Sequence, residues 1–86
     1  MLVSNRLAAC VNVLAGVRSI YRWKGGIHED REMLLIVKTT ATNLARAERA
    51  IRKHHPYELP EIVTVRLDRG SEKYLRWIAD ETKKGR

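Results

Sequence analysis

Five consecutive apolar residues, Met33, Leu34, Leu35, Ile36 and Val37, constrain this chain more than any other feature in it. They sit in a stretch, residues 29–40, that reads as a β-strand, and successive strand side chains point to opposite faces of a sheet. An apolar run without a polar phase therefore needs cover on both faces. A domain of 86 residues buries only about 60 to 65% of the surface its unfolded chain exposes. One helical layer can cover one face of the strand. The other calls for further helices or a neighbouring subunit, and with 44% of residues hydrophobic and concentrated in a few segments, self-association is the simplest cover.

The rest of the pattern supplies neighbours for that strand. Over residues 10–24 the odd positions Val11, Val13, Ala15, Val17, Tyr21 and Trp23 are apolar, while Asn12, Arg18, Arg22 and Lys24 hold the other phase. This is the period of a half-buried strand. Gly16 marks a bulge or bend within it, and Gly25-Gly26 provides the turn that closes a hairpin. Ahead of it, Leu2, Val3 and Leu7, followed by two alanines, read as the last turns of an amphipathic helix. After the hairpin, Thr42 or Asn43 can cap a helix with Leu44, Ala47, Ile51 and His54 on one face and Arg46, Arg49, Arg52 and Lys53 outward. Pro56 stops it. A loop leads to a short strand over 62–67, with Val63, Val65 and Leu67 on one side. Ser71 then caps a final helix whose apolar face is Tyr74, Leu75, Ile78 and Ala79, with Trp77 beside it. The order is helix, strand, strand, helix, strand, helix. It makes a single α/β (α+β) domain, residues 1–86, and one more strand in front would complete the two β-α-β units of a ferredoxin-like sandwich.

Lys and Arg outnumber Asp and Glu by 17 to 10, a formal charge of +7, which raises nucleic acid as a partner. Much of that charge lies on the outward helix face and in the tail residues Lys83, Lys84 and Arg86, where a solvated surface also puts it. An RNA-reading sheet of this class stacks bases on aromatic residues of one strand, and the chain contains no phenylalanine. Nucleic acid is accordingly the weaker expectation. The single cysteine, Cys10, cannot form an intramolecular disulfide, and no signal-peptide pattern is present, so a reducing cytoplasmic setting is expected. No apolar run exceeds five residues, against roughly 20 for a bilayer crossing, so no membrane association is expected.

Catalytic motifs are missing: there is no Ser/His/Asp order, no CxxC, no HExxH and no glycine-rich phosphate loop. Glu58 and Glu61 flank Pro60 without a partner nucleophile, and the chain reads as a non-enzyme. His54 and His55 are the candidate metal ligands, imidazole being suited to Cu(II) and other divalent ions. Adjacent side chains on a helix diverge by about 100°. Both could reach one ion only if the helix unwinds at His55, and a third ligand must come from elsewhere. The competing reading has the two histidines capping the helix and lining a subunit contact. Cys10 reads as a small buried hydrophobe. Tyr21, Trp23, Tyr57 and Trp77 carry most of the aromatic surface and are expected to pack in an interface, with a small-ligand crevice at Tyr57, Glu58 and Glu61 as the alternative.

Five segments resemble one known family: Arg6-Leu-Ala-Ala-Cys10-Val-Asn12, Ser19-Ile-Tyr-Arg-Trp23-Lys-Gly25, Leu35-Ile-Val-Lys38-Thr39, His55-Pro56-Tyr57-Glu58-Leu-Pro60-Glu61-Ile62, and Tyr74-Leu-Arg-Trp77. In this order and spacing they resemble the divalent-cation tolerance family, CutA. The resemblance implies a ferredoxin-like subunit in a compact homotrimer whose strands cross subunit boundaries. It also implies a role in the response to metal ions, with copper bound by some members, in part through histidines matching His54 and His55. The matching aromatic residues pack near trimer contacts in that family. Its members carry a strand and most of a helix ahead of the position of Met1, so the chain is short at its N-terminus relative to them. The cysteine associated with copper in some members lies in that first strand and does not correspond to Cys10. A structural or signalling trimer that scaffolds a partner is the alternative function, with an RNA-binding module behind it.

Overall fold

The computed structural model describes residues 1–54 and 61–83. Its centre is the hairpin. Strand β1 (Cys10–Trp23) pairs antiparallel with β2 (Gly26–Lys38), from Cys10 opposite Lys38 to Trp23 opposite Gly26. The loop between them is Lys24 and Gly25, at φ of +50° and +81°. Two positive φ values make the turn whose twist matches that of the flanking strands. The turn thus falls one residue earlier than the glycine pair implied, and β2 begins at Gly26 rather than at Glu29.

The expected irregularity at Gly16 is present. Leu14 faces Leu34 while Val17 faces Glu32, so Ala15 and Gly16 together oppose Met33, with Gly16 at φ +77°. A bulge of one residue inverts the facing of everything beyond it. Val11 and Val13 therefore share a face with Leu35 and Val37. Val17, Tyr21 and Trp23 lie on the opposite face, on the side of Leu34 and Ile36. The stripe of odd positions read as one apolar surface is in fact two.

Residues 1–9 hold the end of a helical turn rather than helical turns. The Asn5 amide donates to Met1 O at 3.0 Å, Arg6 N to Val3 O at 3.1 Å and Leu7 N to Leu2 O at 2.9 Å, with Arg6 at φ +58°. Those last two bonds around a left-handed residue are the closing pattern of a helix C-terminus. The chain then enters the sheet through Ala9 N, which donates to Lys38 O at 2.9 Å.

After β2 a single 3₁₀ turn (Ala41–Asn43) leads into α1 (Leu44–His54), and α2 spans Glu72–Glu81. Ser71 caps α2 as expected, its hydroxyl accepting from Tyr74 N at 3.4 Å. Asn43 does something other than cap α1: it is buried, and its Nδ2 donates to Thr40 Oγ1 at 2.9 Å and to Thr82 O at 3.2 Å. It ties the start of α1 to the end of α2. The strand expected over 62–67 does not form. The sheet of the described residues has only two strands, and Val63, Val65 and Leu67 are 63 to 80% exposed. Alternation alone cannot make a strand without an edge to pair with.

Among the described residues the buried ones are three alanines, Ala8, Ala9 and Ala47, with Ile78, Asn43 and Thr82. They lie where residues 1–9, the start of α1 and the end of α2 meet. The hairpin projects from this centre, giving extents of 46 × 26 × 20 Å and a radius of gyration of 15.1 Å, against about 12 Å for a compact chain of this length. Both faces of its apolar run are open, Met33, Leu34, Leu35 and Ile36 being 45 to 68% exposed.

Candidate functional site

Two clusters of polar and aromatic side chains are built by this frame. At the hairpin tip the register sets Tyr21 opposite His28 and Ser19 opposite Asp30, all on one face. The Tyr21 and His28 rings stack with centroids 5.7 Å apart and planes inclined by 22°. The Tyr21 hydroxyl donates to Asp30 Oδ2. His28 Nε2 lies 3.1 Å from Trp23 O. A carbonyl only accepts, so Nε2 is the donor in this contact. Lys24 Nζ sits over the Trp23 ring at 5.6 Å. On the reverse face Arg18 Nε meets Glu29 Oε2 at 2.6 Å, an exposed pair of the kind that adds little stability.

The second cluster is a cleft of about 380 Å³ between residues 3–9 and α2, with Trp77 as its apolar wall and Arg6 and Glu81 as its charged end. Arg6 Nη1 donates to Glu81 O at 3.2 Å and lies 3.7 Å from Glu81 Oε1. The cleft's cation is therefore engaged by its own carboxylate. Trp77 also packs against Tyr74 at 5.6 Å, and Lys38 Nζ stands 5.7 Å above the Tyr74 ring.

The structure divides the residues singled out from the sequence. Tyr21 and Trp23 share the tip face, while Trp77 belongs to the α2 cleft. His54 is the exposed last residue of α1. His55, Tyr57 and Glu58 lie outside the described residues. Glu61 is exposed. Cys10 is a half-buried free thiol with Asn12 Oδ1 at 4.0 Å. Among the described residues no three His, Cys, Asp or Glu side chains converge, so the end of α1 offers one imidazole rather than a coordination sphere. His28 and Asp30 went unremarked in the sequence. The signal was there: they are two apart on a strand, and pairing Trp23 with Gly26 across the turn puts His28 opposite Tyr21.

A small α+β domain dominated by a long two-stranded hairpin is the class this geometry defines. The family model described as CutA1 divalent ion tolerance protein matches residues 1–81. The chain belongs to that family. It is 46% identical over 81 residues to the divalent-cation tolerance protein CutA of Thermus thermophilus, covering 94% of this chain and 79% of that one. A solved structure of the Thermus thermophilus divalent cation tolerance protein superposes with a TM-score of 0.92 at 45% identity, over 95% of this chain and 80% of that chain. The structure of a PII-like protein CutA from Nostoc in apo form superposes at 0.90 with 36% identity, over 95% of this chain and 80% of that chain. The chain spans about half the length of the Xenopus laevis relative, 52% of it at 42% identity over 92% of this chain. These likenesses bear out the α+β, CutA-type fold read from the sequence. Among the described residues no helix is long and apolar enough to cross a membrane.

Proposed function

We propose that this chain is the subunit of a cytoplasmic homotrimer that responds to divalent cations without catalysing a reaction. The observation that carries the reading is the surface left bare. The subunit exposes 7313 Å², whereas a compact monomer of 9.9 kDa exposes about 5200 Å². An excess of this order matches what a subunit buries in a substantial interface. On the hairpin it includes Val13, Ile20, Ile27 and Met33, which are 59 to 69% exposed. In this reading Tyr21, Trp23, Tyr57 and Trp77 are contact residues between copies. His54 and His55 supply cation ligands, Cu(II) being the favoured ion by ligand type, with the remaining positions filled by water or by another subunit.

Sedimentation equilibrium of the full chain tests the assembly: a mass near three subunits is expected at micromolar concentration, and a stable monomer overturns it. Calorimetric titration with Cu(II) of the wild type and a His54→Ala/His55→Ala double variant tests the helix-end ligands, equal binding by both removing them. Because protons compete with the metal for its ligands, binding should weaken as the pH falls. A signalling role, in which the trimer docks on a partner protein, is the second reading. The likeness to the PII-like Nostoc protein favours it over RNA binding, for which no feature of the hairpin speaks.

A further inference from the structure

Residues 62–67 and the outer edge of β2 lack the same thing, a backbone partner. Among the described residues no backbone hydrogen bond involves residues 62–67. Yet Val63, Thr64 and Val65 are β-branched residues of the kind that favours strands, and Val63, Val65 and Leu67 stand 63 to 80% exposed. Among the described residues β2 pairs with β1 alone. One side of its backbone is therefore open along Met33–Val37, where Met33, Leu34, Leu35 and Ile36 are 45 to 68% exposed. A long apolar edge is a template for a further strand. The outer edge of β1 is a poorer template, because the bulge at Ala15 and Gly16 interrupts it. Within one subunit the segment and the edge stay apart, and a second copy can bring them together by strand addition.

We propose that residues 62–69 of one subunit add to the outer edge of β2 in the next as an antiparallel strand, with Ile62 opposite Val37 and Arg69 opposite Asp30. The proposal deepens the homotrimer reading and rests on it. In this register Val63 meets Ile36 and Val65 meets Leu34 directly, with Leu67 diagonal to Leu34. Beyond the apolar run the charges match as well, Asp68 falling opposite Arg31 and Arg69 opposite Asp30. A slip of one residue either way sets like charges opposite, Arg69 on Arg31 with Asp68 on Glu32, or Asp68 on Asp30. Arg31 has a use for such a partner. Across the hairpin it faces Arg18, a like charge, and the nearby Glu29 is engaged by Arg18 at 2.6 Å. The area agrees with the pairing. The subunit's 7313 Å² exceeds that of a compact monomer by about 2100 Å², and a subunit that gives one strand and receives another has two interface halves, of about 800 Å² each in a standard contact. Because the giving and receiving surfaces differ, the contact repeats head to tail until it closes in a ring.

Hydrogen exchange and sedimentation of the full chain test this together. Pairing along one side of a strand protects every second amide. Alternate amides of residues 62–67 are therefore expected to exchange slowly in the trimer and to lose that protection on dilution, in step with dissociation. Uniformly fast exchange there in a protein that sediments as a trimer would overturn the strand addition and leave the trimer standing. Protection that persists in the monomer would overturn it equally, because the strand would then be paired within its own subunit. A monomer at every concentration overturns both readings. The charges test the register. Asp68→Arg and Arg31→Asp change the net charge in opposite directions, yet each is expected to weaken association by about two- to fivefold per interface, and the double variant, with the pair reversed, to restore it. Unchanged circular dichroism establishes that the variants fold. Wild-type association in both single variants, or no recovery in the double variant, would overturn the pairing.

Discussion

Gly16 has no atom within 4 Å of where a Cβ would stand, yet its φ is +77°. Substitution there is opposed by the backbone and not by crowding. Gly16→Ala is expected to cost about 1 to 2 kcal/mol, the left-handed penalty of an L-residue, measurable as a lower denaturant midpoint with an unchanged slope. Asn43 is the opposite case, a residue whose whole effect lies in its contacts. It is 5% exposed, and its amide joins residues 39 positions apart at Thr82 O. Asn43→Ala should destabilise by about 1 to 3 kcal/mol, because the Thr82 carbonyl loses a donor in a place water does not readily reach. Hydrogen exchange should report that loss first at the C-terminal end of α2. A uniform change across the chain would show that Asn43 is not a local tie.

At the scale of elements, what could be read beforehand followed from whether a segment's partners lie close along the chain. The hairpin was legible because alternation and a glycine turn are adjacent, and α2 because Ser71 precedes its apolar face directly. The strand over 62–67 was misread because Val63, Val65 and Leu67 alternate correctly but no edge of the two-stranded sheet pairs with them. The helix over 2–9 shrank to its closing turn because periodicity marks a face, not a length. The bulge defeated the facing of β1 more subtly. Its position was visible in Gly16, whereas its effect, carrying Tyr21 and Trp23 to the side opposite Val11 and Val13, depends on a register that only pairing with β2 fixes. The tip cluster of Tyr21, His28 and Asp30 was hidden for the same reason. It exists only once the two strands are aligned.

For the whole molecule, the assembly proposed would make folding and association hard to separate. Trp23 is 37% exposed and stands at the tip beside the turn. Truncating an aromatic anchor at an interface typically costs about 2 kcal/mol or more. Trp23→Ala should therefore melt lower than the wild type by a margin that grows on dilution. The same melting temperature and the same sedimentation on dilution would take Trp23 out of the interface. The alanine-rich centre of the subunit carries a further consequence, in heat capacity. Removal of apolar surface from water is what gives folding its heat-capacity change, and among the described residues Ile78 is the one large aliphatic side chain in the buried core. In the assembly proposed, that change moves from the folding of one chain to the meeting of several. Association should show a large negative ΔCp, and the driving force for burying aliphatic surface fades as water is cooled. The oligomer would then have a temperature of greatest cohesion, loosening into subunits toward the cold as well as toward the heat.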